Sequence, residues 1–338
     1  MGEALVVERT GYATVQDLGR PGLAHLGVSA NGAADAHAAR IANILVGNPS
    51  GAPLIEVTAS SFGFRTGQRL LLAVTGAVGR LFAGGISCPL SEPVVVEAGC
   101  SVQVEMASSG HRAYVALNGE VCAVRVLGSV APDPVLGIGR RLAGGDVVHL
   151  SSRFAGLDHP FSGLPLFRLA APLIPLGSSL VLDVSPGPDA DEFADPPEGA
   201  LTGTFTVTPV SDHVGLRLTG PVPPRNVSTE ILSRGVPVGA VEVPPSGGLI
   251  VLLRGRLVTA GYPIVAVSTT TALDRLGQVR PGDSVTFRSR SVERADADLR
   301  ERERRLADLA ARVARAFRHV GLAHVLHHDH LSTSMAGR

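Results

Sequence analysis

The chain has 338 residues, with 30 basic and 30 acidic side chains and a formal net charge of zero. This length predicts two domains that each bury a core, and the neutral balance argues against nucleic acid as a partner. Every basic residue is arginine, so the chain has no P-loop lysine, no Schiff-base lysine and no lysine that could carry covalently bound biotin.

Apolar residues make up 45% of the chain, but they occur in short runs. No run approaches the roughly 18 residues of a membrane helix, and the N-terminus lacks the pattern of a signal peptide. Cys88, Cys100 and Cys122 are too few and too irregularly spaced for a disulfide framework or a zinc site. We therefore expect a cytoplasmic protein with free thiols, no metal site and no membrane contact.

Short apolar segments separated by Gly and Pro turns recur along most of the chain. This spacing is typical of barrels or sandwiches and predicts a mainly β fold. The predicted strands cover residues 4–7, 54–57, 70–74, 94–96, 102–104, 113–117, 180–184, 204–207, 215–218, 240–243, 249–253 and 284–288. Residues 142–150 and 279–287 share a Gly-Asp turn followed by a strand, which is a weak indication of two related halves.

Two helices stand out from this pattern. The first begins after Asp35 as N-cap and ends before Gly47, with apolar residues at i, i+3, i+4 and i+7. The second covers residues 291–320 and carries acid-first i,i+4 ion pairs beside an apolar stripe. It either packs on the body of the protein or pairs with another chain. A histidine-rich tail follows at residues 321–338.

Polar side chains are concentrated in two consecutive loops near the N-terminus. In residues 14–22, Gln16 offers an amide, Asp17 a base and Arg20 a fork for a carboxylate or phosphate. An alternative is that Asp17 and Arg20 only brace a turn. In residues 27–35, Asn31-Gly32 favours positive φ, and the helix N-terminus at Asp35 could hold an anionic group.

The second half contains fewer candidate residues. Ser211, Asp212 and His213 are adjacent, so along a strand they point to opposite faces and cannot relay a proton as a triad. The turn after residue 258 could present the Thr259 and Tyr262 hydroxyls. Glu242 precedes a Pro-Pro-Ser-Gly-Gly turn, which predicts a surface position.

Several motifs occur together in one order along the chain. They are TVQDLGRPG (14–22), NGAAD (31–35), ANILVGNP (42–49), GIGRRLAGGD (137–146), SDHVGLRLTGP (211–221), TAGYP (259–263) and QVRPGD (278–283). In this order they resemble the family variously called the 5-oxoprolinase C subunit, allophanate hydrolase subunit 2-like or biotin-dependent carboxyltransferase-like.

The resemblance implies two cyclophilin-like β-barrel subdomains, at residues 1–165 and 176–290. It also implies a complex with a kinase-inhibitor-like B subunit and, as third component, an A subunit, which uses ATP to open 5-oxoproline to glutamate. Within that complex we expect a small-molecule site on this chain. Its expected catalytic residues are Asp17, Arg20 and Asp212, and its expected substrate-binding residues are Gln16, Asn31, Gly32, Asp35, His213, Thr259 and Tyr262.

The chain also departs from the family pattern, mostly in the second half. His213 stands where an Arg is usual, Ile264 where a Lys is usual, and Ala272 where an Asp is usual; residues 128–133 also differ. These losses leave two alternatives open. The chain could act as a carboxyltransferase on a urea-like acceptor, or as a non-catalytic paralogue that binds the partner subunit.

Overall fold

The computed structural model describes residues 4–152, 154–156, 169–172, 175–193 and 201–326. The predicted histidine-rich tail beyond residue 326 lies outside the described residues. The prediction of a mainly β protein with a few helices and a long C-terminal helix is confirmed.

The first half folds as two antiparallel sheets that face each other. Their strands are β1 (Ala4–Thr10), β2 (Ala13–Gln16), β3 (Leu54–Thr58), β4 (Phe62–Thr66), β5 (Leu70–Gly76), β6 (Val78–Ala83), β7 (Ile86–Cys88), β8 (Val94–Val96), β9 (Ser101–Met106), β10 (Arg112–Leu117), β11 (Glu120–Val121) and β12 (Val147–Ser151). One sheet has the order β11-β12-β1-β4-β9-β6-β7 and the other β2-β3-β10-β5-β8.

Strand β5 shows how the sequence encodes this arrangement. Its side chains are buried on both faces, which explains the continuous apolar run Leu-Leu-Leu-Ala-Val. Leu70 and Leu72 point into the core between the two sheets, whereas Leu71 and Ala73 pack beneath a helix on the outer face. A strand covered on one side only would alternate apolar and polar residues, as β9 does.

The second half is a closed seven-stranded barrel. The strands are β13 (Ser179–Pro186), β14 (Phe205–Val207), β15 (Gly215–Thr219), β17 (Ala240–Glu242), β18 (Leu249–Leu252), β20 (Ile264–Ser268) and β21 (Ser284–Ser289), with a separate ribbon of β16 (Arg234–Gly235) and β19 (Thr259–Ala260). Their order around the barrel is β13-β20-β17-β18-β15-β14-β21, and β13 and β21 pair in parallel and close it.

Three α-helices lie in the described part of the chain: α1 (Ala36–Leu45), α2 (Thr270–Leu276) and α3 (Val292–His319). The side chains of Asp35, Thr269 and Ser291 cap their N-termini. Helix α3 packs on the body: its buried residues join the apolar cluster of α1, and Glu303 forms a two-pronged ion pair with Arg40 at 2.6 and 2.7 Å. The C-terminal helix therefore spans both halves, since it also contacts α2.

Candidate functional site

A cleft of about 380 Å³ lies between the two halves. The first half contributes β2, β3 and the loop at residues 31–34, and the second half contributes the loops at residues 211–216 and 253–255. Polar side chains on its walls include Thr14, Gln16, Asn31, Glu56, His111, Arg112, Arg141, Asp212, His213 and Arg254. We refer to this space as the cleft.

Five of the predicted site residues line the cleft: Gln16, Asn31, Gly32, Asp212 and His213. Two of them already form hydrogen bonds with neighbouring groups of the protein. Asn31 donates its amide N–H to Asp133 Oδ2 at 2.8 Å, and Asp212 Oδ1 accepts the N–H of Val214 at 2.8 Å. Gly32 has φ +89°, and a Cβ there would lie 2.5 Å from the Gly19 nitrogen, so only glycine fits.

Asp17 and Arg20 are buried and do not line the cleft. Asp17 accepts hydrogen bonds from Gly19 N at 2.8 Å, Ser129 Oγ at 2.5 Å and Val130 N at 2.9 Å. Arg20 donates to the carbonyls of residues 126, 129 and 131. The two side chains thus brace the same loop through separate hydrogen bonds. Their catalytic role stays a prediction.

The remaining predicted residues lie away from the cleft as well. Asp35 caps α1, as predicted, by accepting the Ala38 N–H at 2.9 Å, and its other oxygen accepts Gln278 Nε2 at 2.8 Å. Thr259 belongs to β19, and Tyr262 follows it with 40% of its surface exposed. Neither hydroxyl lines the cleft, so their predicted contact with substrate is unsupported by position.

A buried hydrogen-bond chain behind the cleft was missed at the level of sequence. Glu56 Oε2 accepts the Tyr114 hydroxyl at 2.9 Å and the Ala34 N–H at 2.9 Å. Tyr114 in turn accepts the Asp35 N–H at 2.7 Å. Glu56 and Tyr114 each lie within an apolar strand, 58 residues apart, so no local sequence motif connects them. The sequence offered one indication, which is a carboxylate inside an otherwise apolar strand.

Asp274 is the second feature that sequence reasoning missed. Its Oδ1 accepts Arg254 Nη2 at 3.2 Å and the Ala36 N–H at 3.1 Å, and its Oδ2 accepts Arg302 Nη1. Ala272 stands where the family motif has an Asp, yet the same helix carries a buried carboxylate two residues later. The second-half wall therefore keeps a charged pair, Arg254 with Asp274.

Burial shifts the pKa values of several groups around this network. Burial, the Asp274 charge and the Glu56 charge raise the pKa of Asp35 to about 7. Burial and the positive charges of Arg112 and Arg280 lower the pKa of His111 to about 4, so its ring is neutral at pH 7. The wall of the cleft thus holds a neutral imidazole and, behind it, a carboxyl group whose pKa is raised by burial.

Glu242 corrects the sequence prediction of a surface position. It is 2% exposed, and its Oε1 has no hydrogen-bond partner. Burial raises its pKa to about 7. Glu242 does not line the cleft.

The cleft also holds a cation that no carboxylate neutralises within the described residues. The Arg141 guanidinium lies over the Tyr12 ring, 4.1 Å from its centroid, and forms no ion pair there. A guanidinium stacked on an aromatic ring keeps its N–H groups free for a bidentate carboxylate or phosphate. With the Gln16 amide and the His213 ring nearby, the cleft suits a small anion that also carries an amide.

Over the described part of the chain, no cluster of three or more His, Cys, Asp or Glu side chains could hold a metal ion. A search of the same residues finds no helix with the length and apolarity of a membrane span.

Comparison with known proteins supplies the family. The model of the carboxyltransferase domain, subdomains A and B, matches residues 26–289. The chain is 30% identical to the C subunit of 5-oxoprolinase from Escherichia coli, over 89% of this chain and 96% of that protein. It is 27% identical to urea amidolyase of Saccharomyces cerevisiae over 83% of this chain, but spans only 16% of that protein. The solved structure of TTHA0988 superposes with a TM-score of 0.76 at 35% identity, over 85% of this chain and 56% of that one.

Proposed function

Because the chain belongs to the family of carboxyltransferase domains with subdomains A and B, we propose that it is the substrate-holding subunit of a 5-oxoprolinase-type amidohydrolase. The observation that carries the proposal is the unpaired guanidinium of Arg141 in a cleft between the halves. 5-Oxoproline is a small carboxylate with a ring amide. Its binding site therefore needs one cation for the carboxylate and hydrogen-bonding groups for the amide. Full-length similarity to one component of 5-oxoprolinase, and only partial coverage of urea amidolyase, favours this substrate over urea.

In the proposed reaction, ATP phosphorylates the lactam carbonyl oxygen with release of ADP, and a first water adds to the activated carbon. The ring C–N bond then breaks, the nitrogen takes up a proton and leaves as the free amine, and a second water hydrolyses the resulting acyl phosphate. The products are glutamate, ADP and phosphate. ATP belongs to the complex as a whole and is not assigned to the cleft. Arg141 would hold the substrate carboxylate, and Gln16 and His213 would orient the amide. Asp17 and Arg20 would keep the loop that they brace in place.

The proposed complex is cytoplasmic and contains a kinase-inhibitor-like B subunit and, as third component, an A subunit. The test is to co-express the chain with the subunits encoded beside it and to measure glutamate formation from 5-oxoproline and ATP. Arg141→Gln should raise KM for 5-oxoproline about tenfold or more, since a charge-assisted hydrogen bond is lost. Arg140→Gln is the matched control, because the Arg140 guanidinium is already paired with Asp146 at 2.5 Å.

Two outcomes would reject this function. An intact complex that forms no glutamate would favour a non-catalytic paralogue that binds the partner subunit. Consumption of carboxybiotin with urea, without ATP-dependent ring opening, would favour carboxyl transfer to a urea-like acceptor. That second candidate rests on the similarity to urea amidolyase and needs biotin on another protein, because this chain has no lysine.

A further inference from the structure

A second cavity of about 210 Å³ lies next to the cleft, where α1, α2, α3 and the segment at residues 175–180 meet. Its walls are formed by Asp35, His37, Pro175, Leu176, Gly177, Ser179, Leu180, Thr271, Asp274, Arg275, Gln278, Val279 and Arg302. At about 30 Å³ per water, the space holds roughly seven waters. It is too small for a nucleotide and large enough for a small organic molecule.

A thin polar wall separates the second cavity from the cleft. Asp35, Asp274 and Gln278 line the second cavity, whereas their sequence neighbours Ala34, Leu273 and Gly277 line the cleft. Val279 lines both spaces. The hydrogen bond from Gln278 Nε2 to Asp35 Oδ2, at 2.8 Å, runs within this wall. The two spaces are therefore distinct sites on the same interface between the halves.

Two acids, Asp35 and Asp274, and two guanidinium groups, Arg275 and Arg302, line the second cavity. The two oxygens of Asp35 accept the Ala38 N–H and Gln278 Nε2, and burial and the Asp274 charge raise its pKa to about 7. The carboxylate of Asp274 is saturated by Arg254, Arg302 and a backbone N–H, so it presents little free negative charge. Burial and the charge of Arg302 lower the pKa of His37, which disfavours its protonated ring. Arg275 is exposed at the mouth; its guanidinium donates to the Val181 carbonyl at 3.3 Å and has no carboxylate partner in the described structure.

The rest of the lining is apolar or weakly polar. Leu176, Leu180 and Val279 offer hydrocarbon surface, and Thr271 and Ser179 offer hydroxyls. Pockets between packed units that combine apolar walls with a few convergent polar groups are the usual sites for small molecules. A phosphate ion would make no apolar contact with these walls, and a neutral hydrocarbon would form no hydrogen bond with Arg275.

We propose that the second cavity binds a small organic carboxylate of about three to five carbon atoms, with Arg275 as the cationic contact and the apolar walls around its chain. The cavity adjoins the cleft through Asp274, which contacts Arg302 on one side and the cleft residue Arg254 on the other. The site is separate from the proposed 5-oxoproline site and does not depend on that function.

The test is isothermal titration calorimetry of butyrate into the full chain, with butyramide and inorganic phosphate as parallel probes. Butyrate should bind more tightly than either probe. Arg275→Gln should weaken butyrate binding about tenfold or more, since it removes a charge-assisted hydrogen bond. Arg217→Gln is the matched control: Arg217 is exposed on β15 and lines neither space.

A second variant removes the space instead of the charge. Ser179→Phe fills the cavity mouth from β13 and should abolish butyrate binding. Circular dichroism melting curves confirm that each variant folds like the Arg217→Gln control. The proposal is overturned if butyramide binds as well as butyrate, or if both cavity variants retain full affinity. It is also overturned if Arg141→Gln, which changes only the cleft, removes the binding.

Discussion

Asp35 should make the protein less stable as pH rises, which is the reverse of the usual behaviour of a paired carboxylate. Its pKa is raised from 3.8 to about 7 in the folded state, chiefly by burial and then by Asp274. Between these values the folded chain holds a proton that the unfolded chain has released. The contribution of Asp35 to the free energy of unfolding is therefore largest at low pH and is lost as pH rises toward about 7.

The magnitude follows from the shift. Each pKa unit corresponds to about 1.4 kcal/mol, so the shift of the Asp35 pKa from 3.8 to about 7 corresponds to about 4 kcal/mol of stability. Between pH 5 and pH 8 the Asp35 contribution falls by about 2–3 kcal/mol. Asp35→Asn removes the titration and keeps an N-cap oxygen for the Ala38 N–H. The substitution also removes the oxygen that accepts the Gln278 Nε2 hydrogen bond, and this loss of stability is independent of pH.

Urea unfolding at pH 5 and pH 8 measures the difference. The free energy of unfolding of Asp35→Asn, relative to the unsubstituted chain, should improve by about 2–3 kcal/mol from pH 5 to pH 8. Glu242 and His111 titrate in both proteins, so their effects cancel in this comparison. Asp308→Asn, the same change at an exposed position of α3, is the control. Equal pH dependence in all three proteins would refute the raised pKa and the buried network behind it.

Three further predictions concern stability. Asp274→Ala should lower the free energy of unfolding by about 3–5 kcal/mol in urea titrations, because Arg254 and Arg302 lose their shared carboxylate; a change below about 1 kcal/mol would contradict the pairing. Glu242→Met should raise it by about 1–3 kcal/mol at pH 8, since an unpartnered buried carboxyl is replaced by an apolar side chain, and unchanged stability would place Glu242 at the surface. Asp17→Ala should cost about 2–4 kcal/mol through three lost hydrogen bonds, whereas a fully stable but inactive variant would support a catalytic Asp17 instead of a brace.

Local patterns in the sequence predicted many of the strands and the helices α1 and α3, but they missed β4, β6, β20 and α2. The cap at Asp35, the apolar stripe of the C-terminal helix and the short alternating strands each depend on neighbours within a few residues, so they can be read without the fold. The prediction left open whether the long helix packs on the body, and the structure answers it through Leu306, Leu309, Val313 and Phe317.

The candidate site was predicted less well. Gln16, Asn31 and His213 line the cleft as expected, but Asp17 and Arg20 are turned into the 126–131 loop. A dense polar cluster in sequence has the same composition whether its side chains face a ligand or a neighbouring loop. Only the loop that packs against it, more than a hundred residues away, distinguishes the two.

The sequence by itself determined the mainly β class, the positions of α1 and α3, the family motifs and the absence of lysine chemistry, because these depend on composition and local periodicity. Tertiary structure alone decided which charges share a site. Arg254, Asp274 and Arg302 lie on three different elements, and the Tyr114 hydroxyl links Glu56 to the Asp35 N–H. Burial and charge–charge interaction act across space, so the raised pKa of Asp35 depends on Asp274 in the other half, and the stacking of Arg141 on Tyr12 joins residues far apart in sequence.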